Sequence, residues 1–160
     1  MQDHLREWVR VDKHREPSPS EAVLDSQSVK TAARVREQVG FDAAKFIKGR
    51  KRFLSVDTLG LGLRVLLTSA SGGEREGGKR VLKRVKRMNR AVFRLHTIGV
   101  EGSFDGNRFM VWVMNVCRWI VQVVLRPEQT QGFVLLKKRW VVERTFGWLM
   151  GSRRLVRDYE

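Results

Sequence analysis

Three acidic residues stand where carboxylates could hold metal ions for phosphoryl transfer. Asp25 and Glu101 each follow an apolar run, and Glu143 lies within an apolar segment near the C-terminus. Two-metal phosphoryl transfer needs such side chains to converge on two divalent ions, which activate the attacking oxygen and stabilise the leaving one. Spacing alone favours the plainer interpretation, in which each carboxylate is solvated or pairs with a nearby arginine.

The elements around these acids predict how they are positioned. Residues 22–24 (AVL) indicate a buried strand that ends at Asp25, and residues 94–100 indicate a second strand that ends at Glu101. Residues 139–155 predict a helix with one apolar side. Acidic residues at the ends of adjacent strands, with one more on a packed helix, can supply the geometry of a metal site.

The remaining segments predict a mixed α/β sheet. Residues 51–70 alternate on both sides of a turn at Asp57–Gly60, which predicts an antiparallel hairpin. Further helices are predicted over 1–16, 74–90 and 109–117, a strand over 119–125, and irregular connections over 16–21, 31–40 and 126–132. Three leading strands followed by alternating helices and strands suit a mixed sheet with flanking helices. A ribonuclease H-like sheet has this succession, as do several unrelated α/β folds.

The composition is that of a basic, folded domain. The 160 residues include 32 Lys and Arg against 17 Asp and Glu, a formal net charge of +15, and 42% are hydrophobic. A single cysteine, Cys117, excludes a disulfide scaffold and a paired-cysteine zinc site. The sequence has no apolar run long enough for a membrane span or a signal peptide. We therefore expect a cytosolic protein with a polyanionic partner, of which nucleic acid is the commonest.

Several segments resemble the insertion-sequence DDE transposases and, more narrowly, the IS-four and IS-five superfamily. They are LDSQSVKT at 24–31, FDAAKFIKGRKRFLSVDTLGL at 41–61, RWVVERTFGWL at 139–149 and RRLVRDYE at 153–160. The resemblance covers roughly residues 15–160. It implies a ribonuclease H-like catalytic core with a DDE metal site that uses Mg²⁺, or Mn²⁺, to move DNA by hydrolysis and strand transfer.

The same resemblance assigns the catalytic metal ligands. The first family aspartate falls on Asp25 and the family glutamate on Glu143. The second aspartate normally opens an Asp-Gly-Gly-Tyr type motif, which is replaced here by EGSF beginning at Glu101. A glutamate can bind Mg²⁺, but its extra methylene displaces the carboxylate. Asp105 is an alternative ligand, and we expect cleavage by this copy to be weak.

Basic residues near these motifs are the expected DNA contacts. The segment KFIKGRKR at 45–52 holds five basic residues and no acid, and Arg139 lies one helical turn before Glu143. Such side chains neutralise phosphates without reading bases. The expected DNA-binding residues are Lys30, Lys45, Lys48, Arg50, Lys51, Arg52, Arg139, Trp140 and Arg144. A second basic run at 79–90 is equally well explained as a solvated helix face.

The aromatic residues divide between core packing and stacking. Trp112, Trp119, Phe146 and Trp148 are expected in the core, because they lie in apolar periodic segments. Trp140 neighbours a basic pair, so for this residue stacking on a displaced base is an alternative to core packing.

Three functions remain open. The first is the catalytic domain of a bacterial transposase. This domain would span residues 21–160 and follow a helical remnant and linker at 1–20. It would act on double-stranded DNA as a homodimer, in the cytoplasm and associated with the nucleoid. The short region before Asp25 suggests a truncated or decayed copy. The second is a non-catalytic, basic DNA-binding remnant with the same fold, and the third is an unrelated RNA-binding protein. Metal-dependent nicking separates the first two, and convergence of the three carboxylates separates the second from the third.

Overall fold

The computed structural model describes residues 2–32, 37–124 and 138–159. In these ranges the strands are β1 Glu21–Lys30, β2 Gly40–Asp42, β3 Ile47–Asp57, β4 Gly62–Ser69, β5 Thr97–Glu101 and β6 Ile120–Val124. The helices are α1 Gln2–Asp12, α2 Glu74–Lys86, α3 Asn107–Trp112, α4 Arg139–Met150 and α5 Arg153–Val156. Short 3₁₀ turns lie at Asn89–Val92 and Gly102–Phe104, and a π-helical turn at Val113–Cys117 extends α3.

Strand β1 lies at the centre of a mixed sheet. On one side it pairs antiparallel with β3, whose other edge pairs with β4 and, over its first residues, with β2. On the other side β5 runs parallel to β1, and β6 runs parallel to β5. The order β4-β3-β1-β5-β6, an antiparallel meander joined to parallel strands, is ribonuclease H-like. The predicted fold class is confirmed.

Helices cover both faces of this sheet. Because side chains alternate along a strand, Ala22 and Leu24 point to one face and Val23 to the other. The larger core lies between the sheet, α2 and α3, and its largest members include Leu24, Phe53, Leu82, Ile98, Phe104 and Phe109. The smaller core joins Val23, Leu54 and Val56 to Val141, Val142 and Phe146 of α4. The position after Leu24, Asp25, therefore lies on the α4 face.

Helix α1 docks through buried charge instead of apolar side chains. Arg10 is buried and its Nη1 donates to Asp57 Oδ2 at 2.5 Å, whereas Trp8 is 73% exposed. The other carboxylate oxygen of Asp57 accepts the backbone N–H groups of Leu59 and Leu61, each at 2.9 Å. One buried carboxylate thus closes the turn between β3 and β4 and holds α1.

One of two strand predictions holds as made, and the other strand is longer than its apolar pattern. The hairpin predicted over 51–70 is present, and its turn is closed by a hydrogen bond from Gly60 N to Asp57 O at 3.0 Å. The strand predicted to end at Asp25 instead continues to Lys30, because its polar second half pairs with β3. Hydrogen bonding in the ladder does not depend on side-chain polarity, so hydropathy alone underestimates this strand.

Two helix predictions are too long at their C-terminal ends. The helix predicted over 74–90 stops at Lys86 and passes into a 3₁₀ turn. The helix predicted over 139–155 divides into α4 and α5, because the chain turns at Gly151 and Ser152. None of the described helices is long and apolar enough to cross a membrane. The predicted loop at 126–132, and part of the segment 31–40, lie outside the described residues.

Replacing Gly77 with alanine should destabilise the protein. A Cβ atom at this position of α2 would lie 2.1 Å from Cζ of the fully buried Phe53. We expect Gly77→Ala to lower the free energy of unfolding by about 1–3 kcal/mol through overpacking. Gly147→Ala in α4 is the matched control: its Cβ meets no described atom within 4 Å, so it should stabilise by about 0.5–1 kcal/mol. Urea denaturation measures both, and equal effects would contradict the packing argument.

Removing the arginine that holds α1 should have a larger effect. Arg10→Ala leaves the carboxylate of Asp57, whose side chain is 0% exposed, without its cation. We expect the free energy of unfolding to fall by about 3–5 kcal/mol, as for other broken buried pairs. Lys13→Ala removes a cation from an exposed pair with Asp12 and should cost less than about 1 kcal/mol. Similar losses in the two variants, measured by urea denaturation, would show that α1 is not anchored in this way.

Candidate active site

Asp25 and Glu101 occupy neighbouring positions on two parallel strands. Leu24 of β1 pairs with Val100 of β5, so the next residue along each strand lies beside the other. Leu24 and Val100 both belong to the core beneath α2, and side chains alternate along strands. Asp25 and Glu101 therefore both lie on the opposite face, which α4 covers.

The two carboxylates differ in exposure. Asp25 is 6% exposed and lies in the middle of β1, where its Oδ1 accepts the backbone N–H of Ser26 at 2.7 Å. Glu101 is half-buried and is the last residue of β5, as predicted from the sequence. The pair thus combines a carboxylate held within the sheet with one at the end of a strand.

Helix α4, which carries Glu143, packs on the same face. It contacts β1, β3 and β5, and Thr145 Oγ1 donates to the carbonyl of Gly60 in the β3–β4 turn at 3.0 Å. Val142 is buried against the sheet, whereas Glu143, one residue further, is exposed. The three predicted acids therefore belong to one face of the fold, with Glu143 on a solvent-accessible part of α4.

The donor chemistry suits a hard divalent cation. Mg²⁺ and Mn²⁺ prefer carboxylate oxygens, and two such groups on adjacent strands fit an ion of this kind. Within the ranges described, no group of three or more His, Cys, Asp or Glu side chains could hold a metal ion. The pair Asp25 and Glu101 thus fits in part, and the full ligand set with Glu143 stays a prediction.

The basic run at 45–52 is not one surface, because strand alternation divides it. Lys51 is only 5% exposed, and its Nζ lies 2.9 Å from Glu74 Oε1 and 3.5 Å from Asp42 Oδ2. Burial raises the pKa of Asp42, but hydrogen bonds from Ser28 and the Lys45 backbone, with the Lys51 ammonium, hold it below its usual value. The structure therefore corrects the expectation that Lys51 contacts DNA, because its ammonium group forms ion pairs within the fold.

Arg50 and Arg52 point to the other face and hold the C-terminal segment. Arg50 Nη1 lies 3.2 Å from Asp158 Oδ2, and the 6% exposed Arg52 donates to the carbonyl of Leu155. Burial lowers the pKa of Arg52 from its usual value. The structure thus corrects the DNA-contact expectation for Arg52, whose guanidinium binds α5.

Four more of the predicted DNA-binding residues fall into two groups. Lys30, Lys45 and Lys48 are exposed and remain predicted phosphate contacts. Arg139 begins α4, and its side chain lies outside the described part of the structure.

Arg144 lies between two tryptophans on α4. Its Cζ is 4.3 Å from the ring centroid of Trp140 and 4.8 Å from that of Trp148, which are 36% and 61% exposed. The expectation that Trp148 packs in the core is wrong, because the side of α4 that carries it faces solvent. The spacing of one tryptophan, one arginine and one tryptophan at intervals of four residues was the available sequence evidence for this stack.

Comparison with known proteins identifies the class to which this fold and site belong. Residues 16–160 match the model of the family described as "Transposase DDE domain", and the chain belongs to that family. No curated protein sequence matches it. Among solved structures it is similar to the piggyBac transposase in a synaptic complex with hairpin DNA, determined by cryo-EM, with 12% identity and a TM-score of 0.47. The match covers 85% of this chain and 26% of that one, so the chain spans about a quarter of the other's length.

Two lysines of β3 should respond differently to the same substitution. Lys51→Gln removes the cation between Asp42 and Glu74, and we expect it to lower the free energy of unfolding by about 1–3 kcal/mol. Lys48→Gln should change stability by less than about 0.5 kcal/mol and reduce the log–log salt slope of DNA binding by up to about 0.9. Urea denaturation and fluorescence anisotropy at several salt concentrations measure the two effects. The opposite assignment of effects would show that Lys51, not Lys48, faces DNA.

Proposed function

We propose that this chain is the catalytic domain of an insertion-sequence transposase of the IS-four and IS-five group. It would cleave the DNA ends of the element and join them to a target in a Mg²⁺-dependent reaction. The observation that carries this proposal is the placement of Asp25 and Glu101 side by side on the sheet face covered by α4, in a chain of the transposase DDE-domain family.

The three proposed metal ligands have different roles. Asp25 and Glu101 would hold a divalent ion from neighbouring strands, and Glu143 would complete the set from α4. A bound divalent ion supplies activation of the attacking oxygen, from water and then from a 3′-hydroxyl, and stabilises the leaving oxygen. The protein's own contribution is rigidity: Asp25 lies in the central strand and its carboxylate is oriented by the N–H of Ser26. A fixed carboxylate needs no reorganisation when substrate arrives.

The partner in this proposal is double-stranded DNA, bound through its phosphates. The exposed Lys30, Lys45 and Lys48 would neutralise the backbone, and the stack of Arg144 on Trp140 and Trp148 would lie beside the reacting strand. The active form would be a homodimer on the bacterial nucleoid, with one protomer for each DNA end.

A second candidate function is a DNA-binding domain without cleavage activity. Two observations favour it: Glu101 stands where the family places an aspartate, and no three-ligand metal group exists among the described side chains. The basic charge supports DNA binding in either case. Nicking in the presence of metal distinguishes the two candidates.

Metal-dependent nicking of a supercoiled plasmid tests the proposed function. We expect weak activity in Mg²⁺ and more in Mn²⁺, whose coordination is less demanding. Glu101→Asp should raise the rate in Mg²⁺ by up to roughly 100-fold, since a 1 Å misplacement costs about that factor. Asp25→Ala and Glu143→Ala should reduce nicking to background, because each removes a ligand.

Asp12→Asn, an exposed carboxylate on α1, is the matched control and should retain the wild-type rate. Nicking that survives Asp25→Ala, or that Glu101→Asp lowers, would mean that the ions bind elsewhere. A complete lack of nicking in every variant and metal would favour the non-catalytic alternative.

A further inference from the structure

Helix α2 and the turn after it present a basic surface that the proposed active site does not use. Residues 79–90 contain seven basic side chains and no acid: Lys79, Arg80, Lys83, Arg84, Lys86, Arg87 and Arg90. The apolar residues of the same helix, Val81, Leu82 and Val85, are fully buried in the larger core. Because the apolar side is already covered, this helix cannot enter a membrane or a protein groove through it. Only its cationic side is available to a partner.

Several of these cations are held in place by neighbouring aromatic rings. Nζ of Lys79 and of Lys83 each lie 5.6 Å from the ring centroid of Trp112, and Nζ of Lys86 lies 5.6 Å from that of Trp119. Lys86 also donates to the carbonyl of Cys117 at 2.9 Å. Side chains that are already ordered lose less conformational entropy when they bind an anion. The surface is therefore a preorganised row of positive charge.

This surface lies away from the carboxylates. Helix α2 packs on the face of β1 that carries Leu24, whereas Asp25 is on the other face. Along the strands, α2 begins near Phe104, just beyond the end of β5, because Gly78 packs on that ring. The chain then returns through residues 89–92 to the start of β5, so the basic end of α2 runs toward the opposite end of the strands. The row of cations on α2 therefore lies across the sheet from Asp25 and Glu101.

We propose that the exposed side of α2 binds the phosphate backbone of a second duplex DNA segment, distinct from the segment at the carboxylates. This inference rests on the proposed function only in assigning the first segment to the α4 face. The eight helical residues from 79 to 86 extend over about 12 Å along the axis of α2, which matches the axial length of about three to four base pairs. Contacts of this kind carry no base sequence information, so the second segment would be flanking or target DNA of any sequence.

Neutralising two arginines at the end of this surface tests the inference. Arg87 and Arg90 are exposed, so Arg87→Gln with Arg90→Gln should leave the stability unchanged, as urea denaturation can verify. The log–log salt slope of duplex binding should fall by up to about 1.8, that is 0.9 for each lost phosphate contact. Lys13→Gln with Arg15→Gln removes the same charge from the end of α1 and should leave the slope unchanged. Equal effects of the two double variants would overturn the inference, since they would reflect net charge alone.

The number of bound duplexes provides a second, independent measurement. At low salt, a 12-base-pair duplex should titrate the wild-type protein to two per chain. In the Arg87→Gln, Arg90→Gln variant the second duplex should dissociate at a lower salt concentration than in the wild type, while plasmid nicking by the DNA-saturated variant stays at the wild-type rate. One duplex per wild-type chain would overturn the inference, and so would displacement by duplex RNA in preference to DNA. Because the titration contains no metal, an inactive wild-type protein that still binds two duplexes would contradict the proposed function and support this inference.

Discussion

The pairing of β1 with a neighbour on each side is the constraint on which the rest of the structure depends. Antiparallel pairing to β3 and parallel pairing to β5 hold this strand in the centre of the sheet, and its side chains alternate between two covered faces. Leu24 completes the core beneath α2, while Val23 packs against α4. The buried carboxylate of Asp25 shares the face of Val23, so packing on both sides of the strand determines where the site can form.

The positive charges of this protein either stabilise the fold or remain exposed to a partner, and the net charge of +15 does not distinguish the two. Arg10 and Lys51 are buried and bind the carboxylates of Asp57 and Glu74, which hold α1 and the start of α2. Arg52 binds a carbonyl of α5. The cations that remain for a polyanion are those on exposed surfaces, chiefly along α2 and at the turn between β2 and β3. A basic composition therefore predicts a nucleic-acid partner, but the surface that binds it is set by which cations the fold leaves exposed.

Much of the fold could be predicted from local pattern. The hairpin around Asp57–Gly60, the amphipathic stretch of α2 and the end of β5 at Glu101 each depend on periodicity or turn residues within a short window, and all three are present. The candidate ligands Asp25, Glu101 and Glu143 came from the predicted strand ends, the predicted helix and the family resemblance. The strand register places Asp25 and Glu101 on one sheet face, and the packing of α4 places Glu143 on the same side. Errors concentrated at helix ends and in the polar half of β1, where backbone hydrogen bonds continue without an apolar pattern.

The sequence by itself determined the order of the longer strands and helices, the family and the excess of positive charge, because these follow from residue type and spacing along the chain. The short strand β2, at the end of a segment predicted as irregular, was missed, because it exists only through its pairing with β3. Only the tertiary structure decided which charges are buried and which tryptophans are exposed. Lys48 and Lys51 belong to the same basic run, yet one is solvated and the other lies between Asp42 and Glu74. The partners of Lys51 come from β2 and α2, which are distant in sequence. A contact that exists only after the chain has folded leaves no pattern in the neighbouring residues.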